Sequence, residues 1–167
     1  MPRELSDEEF EARAAQLMTE LEAGIAVEGW WDTGVFPTED APGPNYNYTT
    51  GFYKSWDHPE LIIAGLDPDT AHRILGSIAR EVAAGLPVVR GRPITGILAS
   101  DTLHLRARGF DQALAAGGVV CSVTNRYYGR RTIPYLQIEW PDTEGRFPGD
   151  EGMDPGMEAK QAIGGRP

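Results

Sequence analysis

A change of hydrophobic period between residues 45 and 66 constrains the fold more than any other feature of this chain. From Tyr46 to Phe52, bulky side chains alternate with small or polar ones, which is the period-two pattern of a half-buried strand. Leu61–Leu66 is a continuous apolar run, which is typical of a strand buried on both faces. The polar segment Lys54–Glu60 separates the two. The sequence therefore predicts two core strands joined by a polar loop.

The N-terminal segment carries the start signals of an amphipathic helix. Ser6 and Glu9 have the spacing of a capping box, in which each side chain accepts a hydrogen bond from the other residue's backbone N–H. Leu5 and Phe10 have the spacing of a hydrophobic staple, and we expect Gly24 to end the helix. The predicted apolar stripe is Phe10, Ala14, Leu17 and Leu21.

A second helix is predicted directly after the buried strand. Asp67 is a favourable N-cap, Pro68 suits the first helical position, and Gly85 and Pro87 end the segment. One face is apolar throughout and should pack on the sheet; it consists of Ala71, Ile74, Leu75, Ile78, Ala79 and Val82.

The rest of the chain is predicted from shorter patterns. Ile25–Phe36 indicates one or two short strands, Gly91–Arg108 a second hairpin and Gly109–Ala116 a short helix. Val119–Tyr128 fits either a strand or a helix, and we favour a helix because a crossover is needed before the next strand. That next strand is Ile133–Trp140.

Together these elements predict a single α+β domain over residues 1–148. Its sheet should be mostly antiparallel, with the two amphipathic helices covering one face. Residues 149–167 are rich in Gly, Pro and acidic residues, so we expect a partly disordered C-terminal tail.

Composition limits the classes of function. The formal net charge is −10 and the pI is about 4.7, which argues against binding to nucleic acid or to an anionic membrane surface. Cys121 is the single cysteine, which excludes an internal disulfide and fits a reducing compartment. The acidic N-terminus lacks the apolar core of a signal peptide. We expect a cytoplasmic protein and leave its oligomeric state open.

The polar loop between the two predicted strands is the candidate site for acid–base chemistry. His58 lies between the carboxylates of Asp57 and Glu60, and an imidazole beside a carboxylate is a common arrangement for proton transfer, so these three residues form the predicted catalytic set. Pro59 keeps His58 out of the helical conformation. Phenols and flat apolar rings nearby could bind a ligand; the predicted ligand-binding set is Tyr48, Tyr53, Trp56, Trp140 and Asp142.

Other interpretations remain open at this stage. His58 and Glu60 could instead cap the turn and bond to its backbone. Cys121 could act as a thiol nucleophile assisted by His58 or His104, with Asp101 orienting the imidazole, although a lone cysteine is more often a small buried apolar residue. The three histidines lack metal-ligand spacing, so the sequence predicts no metal and no cofactor.

Several short motifs resemble a known family. They are Tyr48-Thr49-Thr50-Gly51, His58-Pro59-Glu60-Leu61 with Gly65, Tyr128-Gly129, and the segment Trp140–Pro148, which reads WPDTEGRFP. Their order and spacing resemble a bacterial family classed as a domain of unknown function, numbered forty-two sixty-two. The resemblance covers about two-thirds of the chain, from Trp30 to Pro148. It implies a fold and leaves the activity open.

Two functional hypotheses follow from the residues. The first is a small cofactor-independent enzyme that uses His58 and Glu60 on a small molecule or a peptide, for example in specialised metabolism. The alternative is a non-catalytic module that binds a ligand or a partner, or has a regulatory role, through a cleft lined by Tyr and Trp.

Overall fold

A five-stranded sheet carries the fold in the computed structural model, which describes residues 3–113, 115, 120–129 and 132–164. The strands are β1 (Trp31–Val35), β2 (Tyr46–Thr50), β3 (Glu60–Ala64), β4 (Arg106–Phe110) and β5 (Tyr135–Glu139). The helices are α1 (Asp7–Glu28), α2 (Phe52–Trp56), α3 (Pro68–Ala83), α4 (Ser122–Tyr127) and α5 (Pro155–Lys160).

The strand order is β1-β2-β3-β5-β4, and only the β3–β5 pair is parallel. This confirms the predicted α+β class with a mostly antiparallel sheet. β3 lies in the middle and is buried at all five positions, as its continuous apolar run predicts. Glu60, the first residue of β3, pairs with Tyr135 of β5 and is therefore held inside the sheet.

The α3 helix covers one face of the sheet and forms the larger core. All six predicted stripe residues are buried. They pack with Leu61, Ile63 and Ile138, which point to the same face from β3 and β5. The side chain of Asp67 accepts a hydrogen bond from the N–H of Thr70 at 3.0 Å, which confirms the N-cap.

The α1 helix begins as predicted and ends later. The capping box between Ser6 and Glu9 is present. The helix passes through Gly24 and ends at Gly29, which has a φ of 85°, so the expected stop at Gly24 and the expected strand start at Ile25 are wrong. A Cβ on Gly24 would lie 2.6 Å from the Trp31 ring. Gly24 therefore permits close packing of α1 on β1 and does not end the helix.

The two long helices lie on different sides of the sheet, which differs in this detail from the expectation that they cover one face. Trp31 points away from the α3 face, and α1 packs on it through Gly24. Glu11 of α1 pairs with Arg126 of α4 at 3.0 Å, and α4 contributes to the second core cluster on that side. A stripe of apolar residues in one helix predicts burial but not which face it covers.

The second predicted hairpin forms only in part. Ile94 and Leu105 make an isolated antiparallel bridge, and the following strand β4 pairs with β5. Gly109 and Phe110 belong to β4, so the predicted helix over 109–116 is wrong at its start, and its residues 114 and 116 lie outside the described residues. The helix preferred for Val119–Tyr128 is present as α4, with residue 119 outside the described ranges.

The segment after Pro148 is ordered over its described part, which differs from the expected disordered tail. It contains α5, and the side chains of Met153, Gln161 and Ile163 are buried. The Gln161 amide bonds both backbone groups of Trp140, with its Oε1 accepting from the N–H at 3.0 Å and its Nε2 donating to the C=O at 3.0 Å. The Gln161 amide thus pairs the backbone groups at the end of β5, and this adds to the few apolar contacts that hold the segment on the sheet.

Candidate functional site

The Glu60 carboxylate lies at the centre of a buried hydrogen-bond network. Its side chain is 0% exposed. Five groups donate to it: the hydroxyls of Thr49 and Tyr128 and the backbone N–H groups of residues 51–53. The distances run from 2.5 Å for Thr49 Oγ1 to 3.3 Å for the N–H of Phe52. A carboxylate offers about four lone-pair sites, so these donors use its full accepting capacity.

The backbone before α2 is shaped to direct its N–H groups at this carboxylate. Gly51 has a φ of 119°, and a Cβ there would lie 2.6 Å from the carbonyl oxygen of Gly29. Only glycine fits this conformation and this close approach. The N–H groups at the start of a helix have no partner within it, and Glu60 accepts from those of α2. Glu60 therefore joins the β2–α2 turn to β3.

Tyr128 connects the same network to α4. Its hydroxyl donates to Glu60 Oε1 at 2.6 Å and accepts from the N–H groups of Gly51 at 3.1 Å and Lys54 at 3.3 Å. Burial, and then the charge of Glu60, raises the pKa of the Tyr128 hydroxyl. The phenol therefore keeps its proton and acts as a permanent donor.

His58 has both ring nitrogens engaged by the backbone. The N–H of Val88 donates to Nε2 at 3.0 Å, so Nε2 carries no proton. Nδ1 lies 2.7 Å from the carbonyl oxygen of Pro59, which can only accept, so Nδ1 carries the proton. The ring is 4% exposed and packs edge-on against Phe52. This arrangement fits the alternative that His58 holds the loop, here to the segment after α3.

The carboxylates of Asp57 and Asp142 have different surroundings from that of Glu60. Asp57 is exposed and caps the end of α2 in the left-handed conformation, with a φ of 50°. Asp142 is buried and accepts from the N–H of Arg146 at 2.8 Å and from its Nε at 2.7 Å. Burial raises the pKa of Asp142, but the hydrogen bonds from Arg146 and from the N–H of Glu144 outweigh it and leave the pKa lowered. Asp142 thus organises the turn after β5.

The four aromatic residues predicted to bind a ligand are divided between the two faces of the sheet. Tyr48 and Tyr53 pack in the cluster on the α4 side, and Trp56 and Trp140 pack in the cluster under α3. Tyr48 is 0% exposed, and its hydroxyl accepts from the N–H of Val123 at 3.1 Å. Trp140 Nε1 donates to the carbonyl oxygen of Ala64 at 2.7 Å. The structure therefore does not bring these four rings together in one cleft.

The environment of Cys121 does not favour a nucleophilic thiolate. Its side chain is 1% exposed. Burial raises the pKa of the Cys121 thiol, and the charge of Glu60 adds to that effect, while a hydrogen bond with Tyr135 opposes it. A reactive cysteine needs the opposite shift, toward the thiolate.

A large open groove lies beside α1, and the sequence analysis did not find it. Its volume is about 1480 Å³. One wall is the N-terminal half of α1, and the other walls are residues 110–113, α4 and residues 132–135. Phe10 lines the groove and is 59% exposed, whereas Leu21 and Ile25, further along α1, are buried. The sequence placed Phe10 in a predicted apolar stripe, and such a stripe does not show by itself what covers each of its residues.

A second missed feature is an Asp–His pair at the β1 edge of the sheet. His72 Nδ1 lies 2.9 Å from Asp32 Oδ2, and the imidazole is 61% exposed. Asn47 Nδ2 donates to both oxygens of Asp32, at 3.0 and 3.2 Å. Trp30 stacks on the imidazole at a centroid distance of 5.5 Å. No sequence pattern links these residues, because Asp32 and His72 are 40 positions apart.

Two absences hold for the described part of the chain. No three His, Cys, Asp or Glu side chains within it gather closely enough to hold a metal ion. None of the helices in those ranges combines the length and apolar character needed to cross a membrane.

The fold and the network define a small α+β domain in which the buried carboxylate of Glu60 joins the β2–α2 turn to β3. The chain belongs to the family described as Domain of unknown function (DUF4262), whose model matches residues 24–154. No curated protein and no solved structure matches the chain. The motif residues Thr49, Gly51, Glu60 and Tyr128 are members of the hydrogen-bond network. In this structure those motif residues therefore act in holding the fold together.

Proposed function

We propose that the chain is a non-catalytic binding module that holds an amphipathic helical segment in the groove beside α1. The observation that carries the proposal is the exposed Phe10 in a large open groove lined by both apolar and polar residues. His58 and Glu60, in contrast, already use their hydrogen-bonding groups on the backbone and on neighbouring hydroxyls. A base that must take a proton from a substrate needs a free acceptor, and neither side chain offers one.

The size of the groove suits a helix better than a metabolite. Pockets for small molecules are usually about 300–1,000 Å³. Three turns of a helix about 10 Å across occupy roughly 1,300 Å³. The groove volume of about 1480 Å³ is close to that figure.

The charges at the groove favour a segment with acidic residues on its polar face. Arg13 and Arg126 lie along the groove, and Asp111 is the single carboxylate among its described lining residues. Arg126 also pairs with Glu11 at 3.0 Å, so Arg13 is the cation of the lining that an acidic residue of the bound segment would meet. Such complementarity selects partners more than it adds affinity.

A designed peptide tests the proposal. The probe has leucine at helical i, i+3, i+4 and i+7 positions, glutamate on the opposite face and a fluorescein label, and its scrambled sequence is the control. Fluorescence anisotropy should show binding of the helical peptide only, weakened at least tenfold in Phe10→Asp. Phe36→Asp is the matched control, because Phe36 is 60% exposed and lies outside this groove. The proposal is contradicted if Phe10→Asp and Phe36→Asp bind the peptide equally, or if the scrambled peptide binds the wild type as tightly as the helical peptide does.

The Asp32–His72 pair supports a second candidate function, a small acid–base enzyme acting on a small molecule or peptide, for example in specialised metabolism. Asp32 fixes the imidazole through Nδ1 and leaves Nε2 toward solvent, as a general base requires. If this is the function, His72→Gln should lower the turnover of a substrate found in a metabolite screen by roughly 100-fold or more, with an unchanged melting temperature. Full turnover in His72→Gln excludes the pair as the site.

A further inference from the structure

We infer that the helix bound in the groove is α1 of a second copy of this chain, so that two copies form an antiparallel dimer with its two-fold axis at Phe10. This inference rests on the proposed function and names the partner. The apolar stripe of α1 forms one wall of the groove. When two such stripes face each other, each α1 occupies the groove of the other copy.

The charges on α1 have the self-complementarity that a two-fold interface requires. In such an interface, residue i contacts residue j and j contacts i. Asp7 and Arg13 lie three residues before and three residues after Phe10, so both share its face of the helix. An antiparallel pair centred on Phe10 places each Asp7 opposite the Arg13 of the other copy. Both side chains are exposed in the single chain.

The acidic residues next to Phe10 do not oppose this pairing. Glu9 and Glu11 flank Phe10 and would face each other across the two-fold axis. Glu9 is already paired with Arg3, and Glu11 is paired with Arg126 at 3.0 Å. Because each carboxylate has a cation within its own copy, the repulsion between the copies is reduced.

The length of the groove agrees with the proposed overlap. Pairing about Phe10 aligns residues 3–17 of the two copies, and residues 7–13 are helical in both, which gives about 10 Å of paired helix. The wall of the groove formed by α1 and the residue before its N-cap runs from Leu5 to Met18, nearly the same stretch of chain as residues 3–17. The C-terminal part of α1 is fixed on its own sheet through Leu21 and Ile25 and stays outside the interface.

Sedimentation velocity on the full chain tests the dimer between about 1 and 100 µM, the range expected for a small interface. The wild type should change from a species of 18.2 kDa to one of twice that mass. Asp7→Arg and Arg13→Asp should each weaken association at least tenfold, and the double variant, which exchanges the two charges, should recover it to within about threefold. Asp40→Arg, in an exposed loop, is the charge-matched control and should dimerise like the wild type.

The outcomes separate the two proposals. A chain that stays monomeric but binds the designed peptide in a Phe10-dependent manner overturns the dimer and leaves the binding module standing. A monomer that does not bind the peptide overturns both. A dimer that tolerates Phe10→Asp overturns the inferred interface, as does one whose charge-exchanged double variant does not recover association. Circular dichroism on each variant confirms folding, and the charge exchange decides the matter if Phe10→Asp fails to fold.

Discussion

Replacing Glu60 by glutamine should destabilise the protein strongly, because the buried carboxylate accepts from five donors. The new amide side chain would keep one oxygen and present an NH₂ group in place of the other. The least costly orientation puts the NH₂ on the Oε2 side, where Thr49 can rotate its hydroxyl to accept. The N–H of Phe52 is then left without its acceptor. The remaining bonds lose the charge of the carboxylate.

The magnitude follows from these changes. Hydrogen bonds to charged groups contribute about 1.5–3 kcal/mol each, against about 0.5–1.5 kcal/mol for neutral ones, and an unsatisfied buried donor costs about 1–3 kcal/mol. Relaxation and non-additivity reduce the sum, so Glu60→Gln should lower the free energy of unfolding by about 2–4 kcal/mol. Urea denaturation measures this as a lower midpoint at an unchanged m-value.

Two companion variants make the result specific. Glu39→Gln is the same substitution in an exposed loop and should leave the midpoint unchanged. Tyr128→Phe removes the hydroxyl that donates to Glu60 and should cost about 1–3 kcal/mol by itself. The two changes should be non-additive, because they share one hydrogen bond. A Glu60→Gln protein with the wild-type midpoint would refute this account and return Glu60 to the catalytic hypothesis.

Three further predictions follow from the same contacts. His58→Ala should lower the free energy of unfolding by about 2–4 kcal/mol in urea denaturation, since it leaves the N–H of Val88 unpaired and opens a cavity; an unchanged midpoint would contradict a structural role. Burial raises the pKa of Asp142, but hydrogen bonds from Arg146 leave it lowered. The ionised carboxylate therefore stabilises the fold at neutral pH, and this stabilisation is lost as the pH falls. Below about pH 5, the melting temperature of Asp142→Asn should fall less steeply with pH than that of the wild type. Truncation after Gly149 should lower the melting temperature by more than about 5 °C in calorimetry, because it removes buried side chains of the C-terminal segment, and an unchanged value would fit the disordered tail instead.

The elements that the sequence predicts well are those with strong local signals. α3 has a cap, a proline and a full apolar stripe within about 20 residues, and all of that stripe is buried. The ends of α1 show the limit of such signals. Glycine stops a helix only where the chain takes a positive φ, and Gly29 does so, whereas Gly24 serves close packing on Trp31.

The candidate site was less accessible to prediction, because the role of a polar side chain depends on what lies across from it. The sequence singles out Glu60 and His58, but their partners Tyr128 and Val88 are 68 and 30 positions away. The predicted aromatic cleft fails to form for a related reason. Tyr48 and Trp140 lie on opposite faces of the sheet, and residue types alone do not specify the face.

The sequence by itself determined the strands β2, β3 and β5, the capped starts of α1 and α3 and the α+β class, because hydrophobic period and capping are properties of a few consecutive residues. Only the tertiary structure decided which polar groups are paired in hydrogen bonds and which surfaces remain exposed to solvent. It buried Glu60 under five donors and joined His58 to the backbone. It also left Phe10 and the groove beside α1 uncovered. The physical reason is that hydrogen-bond satisfaction and surface exposure are set by contacts between residues far apart in the chain.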